Sequence, residues 1–165
     1  MNIEDDFLSY KEFNILKKVI LSPDKNTKVN SFPWFLCEHD PAAQPFYFVH
    51  LFYVEDKINS EYFDSLSPLL ESIHNQNEIR SLKRIKGNFY PGGKEIILHD
   101  LHTDFPYSHK GAIYYLNSCD GYTLIGDEKV ESVENRIVFF DGGENHASTN
   151  CTDQKFRVNI NFNYF

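Results

Sequence analysis

The stretch Leu98-His99-Asp100-Leu101-His102-Thr103-Asp104 decides the reading of this chain. It ends in a His-x-Asp triplet. Read as the tail of a strand, it puts His102 and Asp104 on one face and Thr103 on the other, because side chains alternate across a strand with period two. One imidazole and one carboxylate are then aimed at a common point. A second imidazole would complete the 2-His-1-carboxylate set that holds non-haem Fe(II) and leaves positions open on the metal. His146, 42 positions beyond Asp104 and at the start of a strand-like segment, is the candidate. On the same parity His99 falls on the face opposite His102, outside such a site.

Around this stretch, from Leu82 to the end, short β-branched and aromatic runs are punctuated by Gly, Asn and Asp. The pattern predicts strands near 82–90, 95–102, 111–116, 121–125, 128–133, 136–140, 145–149 and 156–165. Eight short strands in so few residues fit a double-sheet jelly roll, the architecture of cupins, whose inner faces enclose a pocket. In the last strand, alternation separates Val158, Ile160, Phe162 and Tyr164 from Arg157, Asn159, Asn161 and Asn163. One guanidinium and three amides are too costly to bury unpartnered, so their face must be wet or liganded. Two readings stay open. Either this face looks into the barrel and Arg157 is a bidentate clamp for a carboxylate, or it looks outward and Arg157 sits in a surface ion pair.

The N-terminal half reads as support. Ser9 and Glu12 form a Ser-x-x-Glu capping box, with Leu8 and Phe13 as the hydrophobic staple. Phe13, Leu16 and Ile20, flanked by Ile15 and Val19, make an apolar stripe at helical spacing until Ser22-Pro23 ends it. Phe32-Pro33-Trp34-Phe35-Leu36 is an aromatic knot, residues 41–45 a loop, and Phe46 to Val54 a buried strand with His50 as a hydrogen-bonded core side chain. A second helix carries Tyr62, Phe63, Leu66, Leu69, Leu70 and Ile73 on its buried side. Pro68 either kinks it or opens a separate helix capped by Ser67. His39, His74 and His109 read as loop residues, His109 within reach of the pocket mouth or, more often for such a residue, simply solvated.

The expected fold class is therefore α+β: a double-stranded β-helix braced by N-terminal helices, in one domain over 1–165, with 1–80 mainly helical support plus one strand and 81–165 the jelly-roll core. A formal charge of −8 and a pI near 5.3 argue against nucleic acid as a partner, because only Arg80, Lys83, Arg84 and Lys86 cluster. The acidic start shows no secretory signal, and no apolar run approaches the ~20 residues of a membrane span. Cys37, Cys119 and Cys151 are an odd, scattered set, read as reduced thiols in a cytoplasmic protein. No Cys-x-x-Cys suggests zinc, and no nucleophilic triad or Gly-rich phosphate loop competes with the His/Asp set.

The order His102-x-Asp104, His146, then Arg157 eleven residues later resembles the Fe(II)/2-oxoglutarate-dependent oxygenases. It is most similar to their prolyl-4-hydroxylase-like branch, in which Tyr-Pro-Gly precedes the His-x-Asp strand and Ile-Tyr-Tyr-Leu-Asn follows it. Here these are Tyr90-Pro91-Gly92 and Ile113-Tyr114-Tyr115-Leu116-Asn117. The chain also resembles small members of this superfamily from phages and marine bacteria, through Phe32-Pro33-Trp34, Arg84-Ile85-Lys86-Gly87-Asn88 and Asn135-Arg136-Ile137-Val138-Phe139-Phe140-Asp141. In the last of these, one residue is inserted before the Asp.

The resemblance implies that His102, Asp104 and His146 hold Fe(II), with no catalytic residue beyond these ligands. It implies that Arg157, assisted by Tyr115, binds the C5 carboxylate of 2-oxoglutarate and that Tyr90 lies near its C1 carboxylate. It further implies a hydroxylase that uses O2 and releases succinate and CO2. Asp104 in place of Gly or Ala argues for hydroxylation over halogenation, since it leaves no coordination position for a halide. Two departures bear on the substrate: Asn163 stands where some relatives have an aromatic residue, and the N-terminal half has no obvious peptide-binding segment. A peptide, through a prolyl residue, is the expected substrate, with Phe105-Pro106-Tyr107 as a gripping rim. A small molecule is the other option. The rival readings are a non-catalytic cupin-like binding module and a cupin metalloenzyme that does not use 2-oxoglutarate. Neither needs a deep cation on the last strand.

Overall fold

The computed structural model describes residues 1–23, 25–37 and 46–165. His39 and the loop expected over 41–45 lie outside the described residues. In chain order the elements are β1 (Asn2–Glu4), α1 (Tyr10–Leu21), β2 (Phe35–Cys37), β3 (Tyr47–Val54), β4 (Lys57–Ile58), a 3-10 turn (Phe63–Leu66), α2 (Ser67–Asn77) and β5 (Leu82–Pro91). They continue with β6 (Lys110–Tyr115), β7 (Tyr122–Ile125), β8 (Glu128–Glu131), β9 (Ile137–Asp141), β10 (His146–Ser148) and β11 (Phe156–Tyr164). The large sheet runs β1-β9-β6-β11-β5-β3-β2, with β4 on β3, and the small sheet runs β10-β7-β8. All pairs are antiparallel. Together the two sheets form a jelly-roll double-stranded β-helix.

Two apolar layers set the position of the site. Outer-face residues of the large sheet (Ile85, Tyr114, Val158, Ile160, Phe162 and Tyr164) share one core cluster with Phe13, Leu16 and Ile20 of α1 and Leu69 and Ile73 of α2. Ile113, Tyr115 and Val138 meet Ile125 and Val130 of the small sheet in a second cluster. The helices cover the outer face of the large sheet, so its inner face is left for the polar alternates of β5 and β11.

The capping box is present: Ser9 Oγ accepts from Glu12 N at 3.4 Å and the Glu12 carboxylate accepts from Ser9 N at 3.2 Å. α1 ends at Ser22. Pro68 opens a separate helix, in whose first turn its missing N–H is harmless. Ser67 does not cap this helix; its hydroxyl donates to Asp64 O at 2.8 Å. His74 lies in the last turn of α2, where Nδ1 accepts from Ile79 N at 3.1 Å. His50 is buried between Pro33 O and Ser60 Oγ, both at 2.7 Å. No helix among the described residues is long and apolar enough to cross a membrane.

The predicted strand over 95–102 does not form. Only the isolated bridges Leu98 to Thr149 and His102 to His146 occur there. Asn150 takes the place of a neighbouring strand: its Oδ1 accepts from Ile97 N at 2.8 Å and its Nδ2 donates to Glu95 O at 3.0 Å. A backbone satisfied by one side chain need not enter a ladder.

Asn135 joins the N-terminus to the barrel. Its side chain accepts from Leu8 N at 3.0 Å and from the Tyr114 hydroxyl at 2.6 Å, and donates to Leu8 O at 2.9 Å. Its φ of 61° is left-handed, a conformation Asn tolerates better than other non-glycine residues. Asn135→Ala loses three buried hydrogen bonds and gains backbone strain, so unfolding should become easier by ~2–4 kcal/mol. Denaturant unfolding measures this, and a loss below ~1 kcal/mol would contradict it.

Candidate active site

Strands β5 and β11 face each other in register, pairing Arg84 with Asn163, Lys86 with Asn161, Asn88 with Asn159 and Tyr90 with Arg157. Every second residue on both strands is therefore polar and points the same way, while Ile85, Val158, Ile160 and Phe162 enter the core. The inner polar face lines a cavity of about 620 Å³, with Arg84, Lys86, Asn88, Tyr90, Asn159 and Asn161 on its wall. Of the two directions left open for the polar face of the last strand, the inward one is observed.

His102, Asp104 and His146 meet at this cavity. One ligand atom from each lies within 4.8 Å of the other two. His146 Nε2 is 3.7 Å from Asp104 Oδ2, and His102 Nε2 is 4.0 Å from Asp104 Oδ1. The backbone fixes the rings: His146 Nδ1 lies 3.0 Å from Glu144 O and His102 Nδ1 lies 2.9 Å from Asp100 O. A carbonyl can only accept, so each Nδ1 carries a proton and Nε2 is the nitrogen of each ring left to face the carboxylate. His146 Nε2 is buried with no hydrogen-bond partner, and burial lowers this imidazole's pKa, favouring the neutral form that a metal needs. Two imidazole Nε2 atoms and one carboxylate on one side of a cavity fit a non-haem Fe(II).

Asp104 is held from behind. Burial opposes its charge, but Arg84, Lys86 and His146 outweigh that, and its carboxyl lies well below the usual carboxylate range. Arg84 Nη2 makes an ion pair with Oδ1. Asn161 and Asn163 donate to Oδ2 at 2.8 and 2.9 Å. Asn163 Nδ2 also lies 3.1 Å from His109 Nε2, and a Cβ on Gly142 would come within 2.2 Å of that nitrogen. His109 lies in the loop before β6, as expected, but it is buried rather than solvated. The alternation of β11 contained the signal for Asn161 and Asn163; nothing local marked His109.

His99 also departs from expectation. It lines the cavity beside Tyr47 and Tyr90, because the segment that carries it is not a strand and the parity argument fails. It is not among the three converging ligands. Burial, assisted by the charge of Arg157, lowers its pKa to about 4.

At the other end of the polar face Arg157 is fully buried. Its Nη1 donates to Thr149 O at 3.0 Å and its Nη2 to Thr123 Oγ1 at 2.7 Å, while Nε has no partner. The Tyr115 hydroxyl donates to the same Thr123 Oγ1 at 2.9 Å. The guanidinium carbon stands 5.4 Å from the Tyr90 ring centre and 5.5 Å from that of Tyr115. Among the described residues no carboxylate pairs with it. A buried guanidinium is costly without an anion, so this end of the site fits a ligand carboxylate. Tyr90, between Arg157 and the open cavity, is itself buried and its hydroxyl pKa is raised by that burial, so it stays a neutral donor.

A second group of potential ligands, Cys119, Cys151 and Asp153, lies on the far loops. Burial and the neighbouring Cys119 push the Cys151 thiol up to about 12, against thiolate formation.

The fold is that of solved 2-oxoglutarate-Fe(II) oxygenases and prolyl hydroxylases. One similar structure is a prolyl hydroxylase from Trichoplax adhaerens in complex with a hypoxia inducible factor oxygen degradation domain peptide fragment. It is 14% identical, the match covers 99% of this chain and 82% of that one, and the TM-score is 0.64. Another is the viral collagen prolyl hydroxylase of Paramecium Bursaria Chlorella virus-1 in its 2-oxoglutarate complex, 14% identical over 98% of this chain and 93% of that one, with a TM-score of 0.56. The non-heme alpha ketoglutarate dependent epimerase SnoN from nogalamycin biosynthesis is 10% identical over 99% and 76% of the two chains, with a TM-score of 0.67. No family model and no curated protein matches the sequence.

Proposed function

We propose that this protein is an Fe(II)- and 2-oxoglutarate-dependent dioxygenase that hydroxylates its substrate and releases succinate and CO2. The observation that carries this reading is the convergence of two imidazole Nε2 atoms on Asp104 at a cavity whose lining residue Tyr90 packs against the buried Arg157 guanidinium, which has no counter-charge among the described residues. His102, Asp104 and His146 would hold the metal, Arg157 would bind the distal carboxylate of 2-oxoglutarate, and Tyr90 would donate near its proximal one. Fe(II) bound there supplies open positions at which dioxygen is activated and 2-oxoglutarate is decarboxylated. The protein's own part is to orient and to exclude water. Glu144 O and Asp100 O fix the imidazole tautomers, Asn161 and Asn163 fix the carboxylate, and Thr123 and Thr149 hold the guanidinium in place.

For the substrate we favour a prolyl residue in a peptide. Phe105 and Tyr107 stack at 5.4 Å with 14° between their planes, and Tyr107 stacks in turn on Phe165, an aromatic rim with Phe105 half-buried and Tyr107 and Phe165 exposed, suited to an extended chain. Arg84, Lys83 and their neighbours offer little to a polynucleotide, because Arg84 and Lys86 line the cavity. Succinate release with Fe(II) and 2-oxoglutarate, measured across proline-containing peptides, free amino acids and oligonucleotides, tests both levels. Slow basal release stimulated most by peptides is expected. Stimulation by oligonucleotides alone would overturn the substrate. No succinate under any condition, with metal and 2-oxoglutarate demonstrably bound, would favour a non-catalytic binding module.

A further inference from the structure

Arg84 and Lys86 lie on one face of β5 and both line the cavity next to Asp104. Among the described residues, one buried carboxylate, that of Asp104, is close to them. Asp104 pairs with Arg84, and once that carboxylate serves a divalent metal its charge is largely spent there. Lys86 makes no hydrogen bond or ion pair with any described residue, and Arg84 Nε is buried without a partner. The cavity also holds an unpartnered donor in Asn159 Nδ2. The nearby Asp100, on the cavity lining, is exposed to solvent. Two cations and an amide donor thus face a space that the described residues do not neutralise.

The cosubstrate does not need them. Its two carboxylates already have the metal with Tyr90 and Arg157 with Tyr115. Lys86 sits opposite Asn161, four residues from Arg157 along β11, which is roughly 13 Å at the ~3.3 Å rise of a strand. We propose that Arg84 and Lys86 form a separate oxyanion subsite, which selects a substrate bearing a carboxylate or phosphate group and holds that group beside the metal. This rests on the oxygenase reading above. The planar fork of Arg84 suits either oxyanion, and the compact ammonium of Lys86 adds charge without fixing geometry. The subsite narrows the substrate to a small acid, an acidic peptide or a phosphate ester, and disfavours a neutral one.

Inorganic phosphate is the probe. The protein is loaded with Mn(II), which does not turn over, and saturated with 2-oxoglutarate; phosphate is then titrated while its phosphorus relaxation reports proximity to the metal. The expected result is a saturable enhancement whose affinity falls about tenfold or more in Lys86→Gln and is kept in Lys86→Arg and in the exposed Lys57→Gln. Equal enhancement in wild type and a Lys86→Gln variant that melts normally would overturn the subsite, as would none in wild type. Loss of 2-oxoglutarate affinity in Lys86→Gln would also overturn it, by giving the lysine to the cosubstrate. If wild type binds neither Mn(II) nor 2-oxoglutarate, the oxygenase reading itself fails and the subsite with it. Competition separates the sources: displacement of phosphate by N-acetylproline but not by its amide indicates a small acid, and by a Pro-Glu but not a Pro-Gln peptide an acidic side chain. Displacement by neither carboxylate leaves a phosphate ester as the group carried.

Discussion

His146→Ala should lower Fe(II) affinity by roughly a hundredfold or more, since disturbing even the partners of metal ligands costs 10–100-fold. Its Nε2 is the most exposed to this test of the three ligand atoms: it is buried, it has no protein partner, and its ring is fixed by Glu144 O. Among the described residues no fourth His, Cys, Asp or Glu joins the converging set. His99→Ala serves as the control, because His99 lines the same cavity but stands outside the converging set, so its loss should leave the metal bound. Calorimetric titration of Fe(II) under anaerobic conditions measures both. Undiminished binding by a folded His146→Ala protein, or loss of metal in His99→Ala alone, would refute the assignment of ligands.

Arg157→Ala should weaken 2-oxoglutarate binding by about ten- to a hundredfold while leaving the metal in place, as expected for a charge-assisted contact in a desolvated site worth ~1.5–3 kcal/mol. Two of its nitrogens already hold Thr149 O and Thr123 Oγ1, so the guanidinium is oriented before any ligand arrives. Lys at this position should rescue only part of the loss, because it cannot serve both threonines and a carboxylate with one ammonium. Calorimetry with metal present reads the difference. Equal 2-oxoglutarate affinity in wild type and Arg157→Ala would show that the buried charge has another purpose.

What the sequence revealed and what it hid follow from the range of the interactions. The capping box at Ser9 is a local device and is legible from four residues. The polar face of β11 was legible as a pattern, but its direction was not, because alternation fixes only which residues share a side. The direction came from α1 and α2 covering the other side of the sheet. Tyr90 shares the cavity-facing side of β5 with Arg84, Lys86 and Asn88, as alternation requires. His102 and Asp104 converge although the strand that was to align them is absent. The two bridges that His102 and Leu98 make to the 146–149 segment hold the loop instead. The same absence misplaced His99. The strands β1, β2 and β4 are two or three residues long, too short for any alternation to register. The contacts of His109 with Asn163 and of Asn150 with Ile97 span more than fifty residues, and a single sequence carries no mark of them.

The most direct test of the central claim is the anaerobic visible spectrum of the protein as Fe(II) and then 2-oxoglutarate are added. Chelation of Fe(II) by the keto acid at a 2-His-1-carboxylate site should produce a charge-transfer band that needs both additions, disappears in His146→Ala and requires more 2-oxoglutarate in Arg157→Ala. A spectrum that does not change, or changes equally in His146→Ala, would contradict the account.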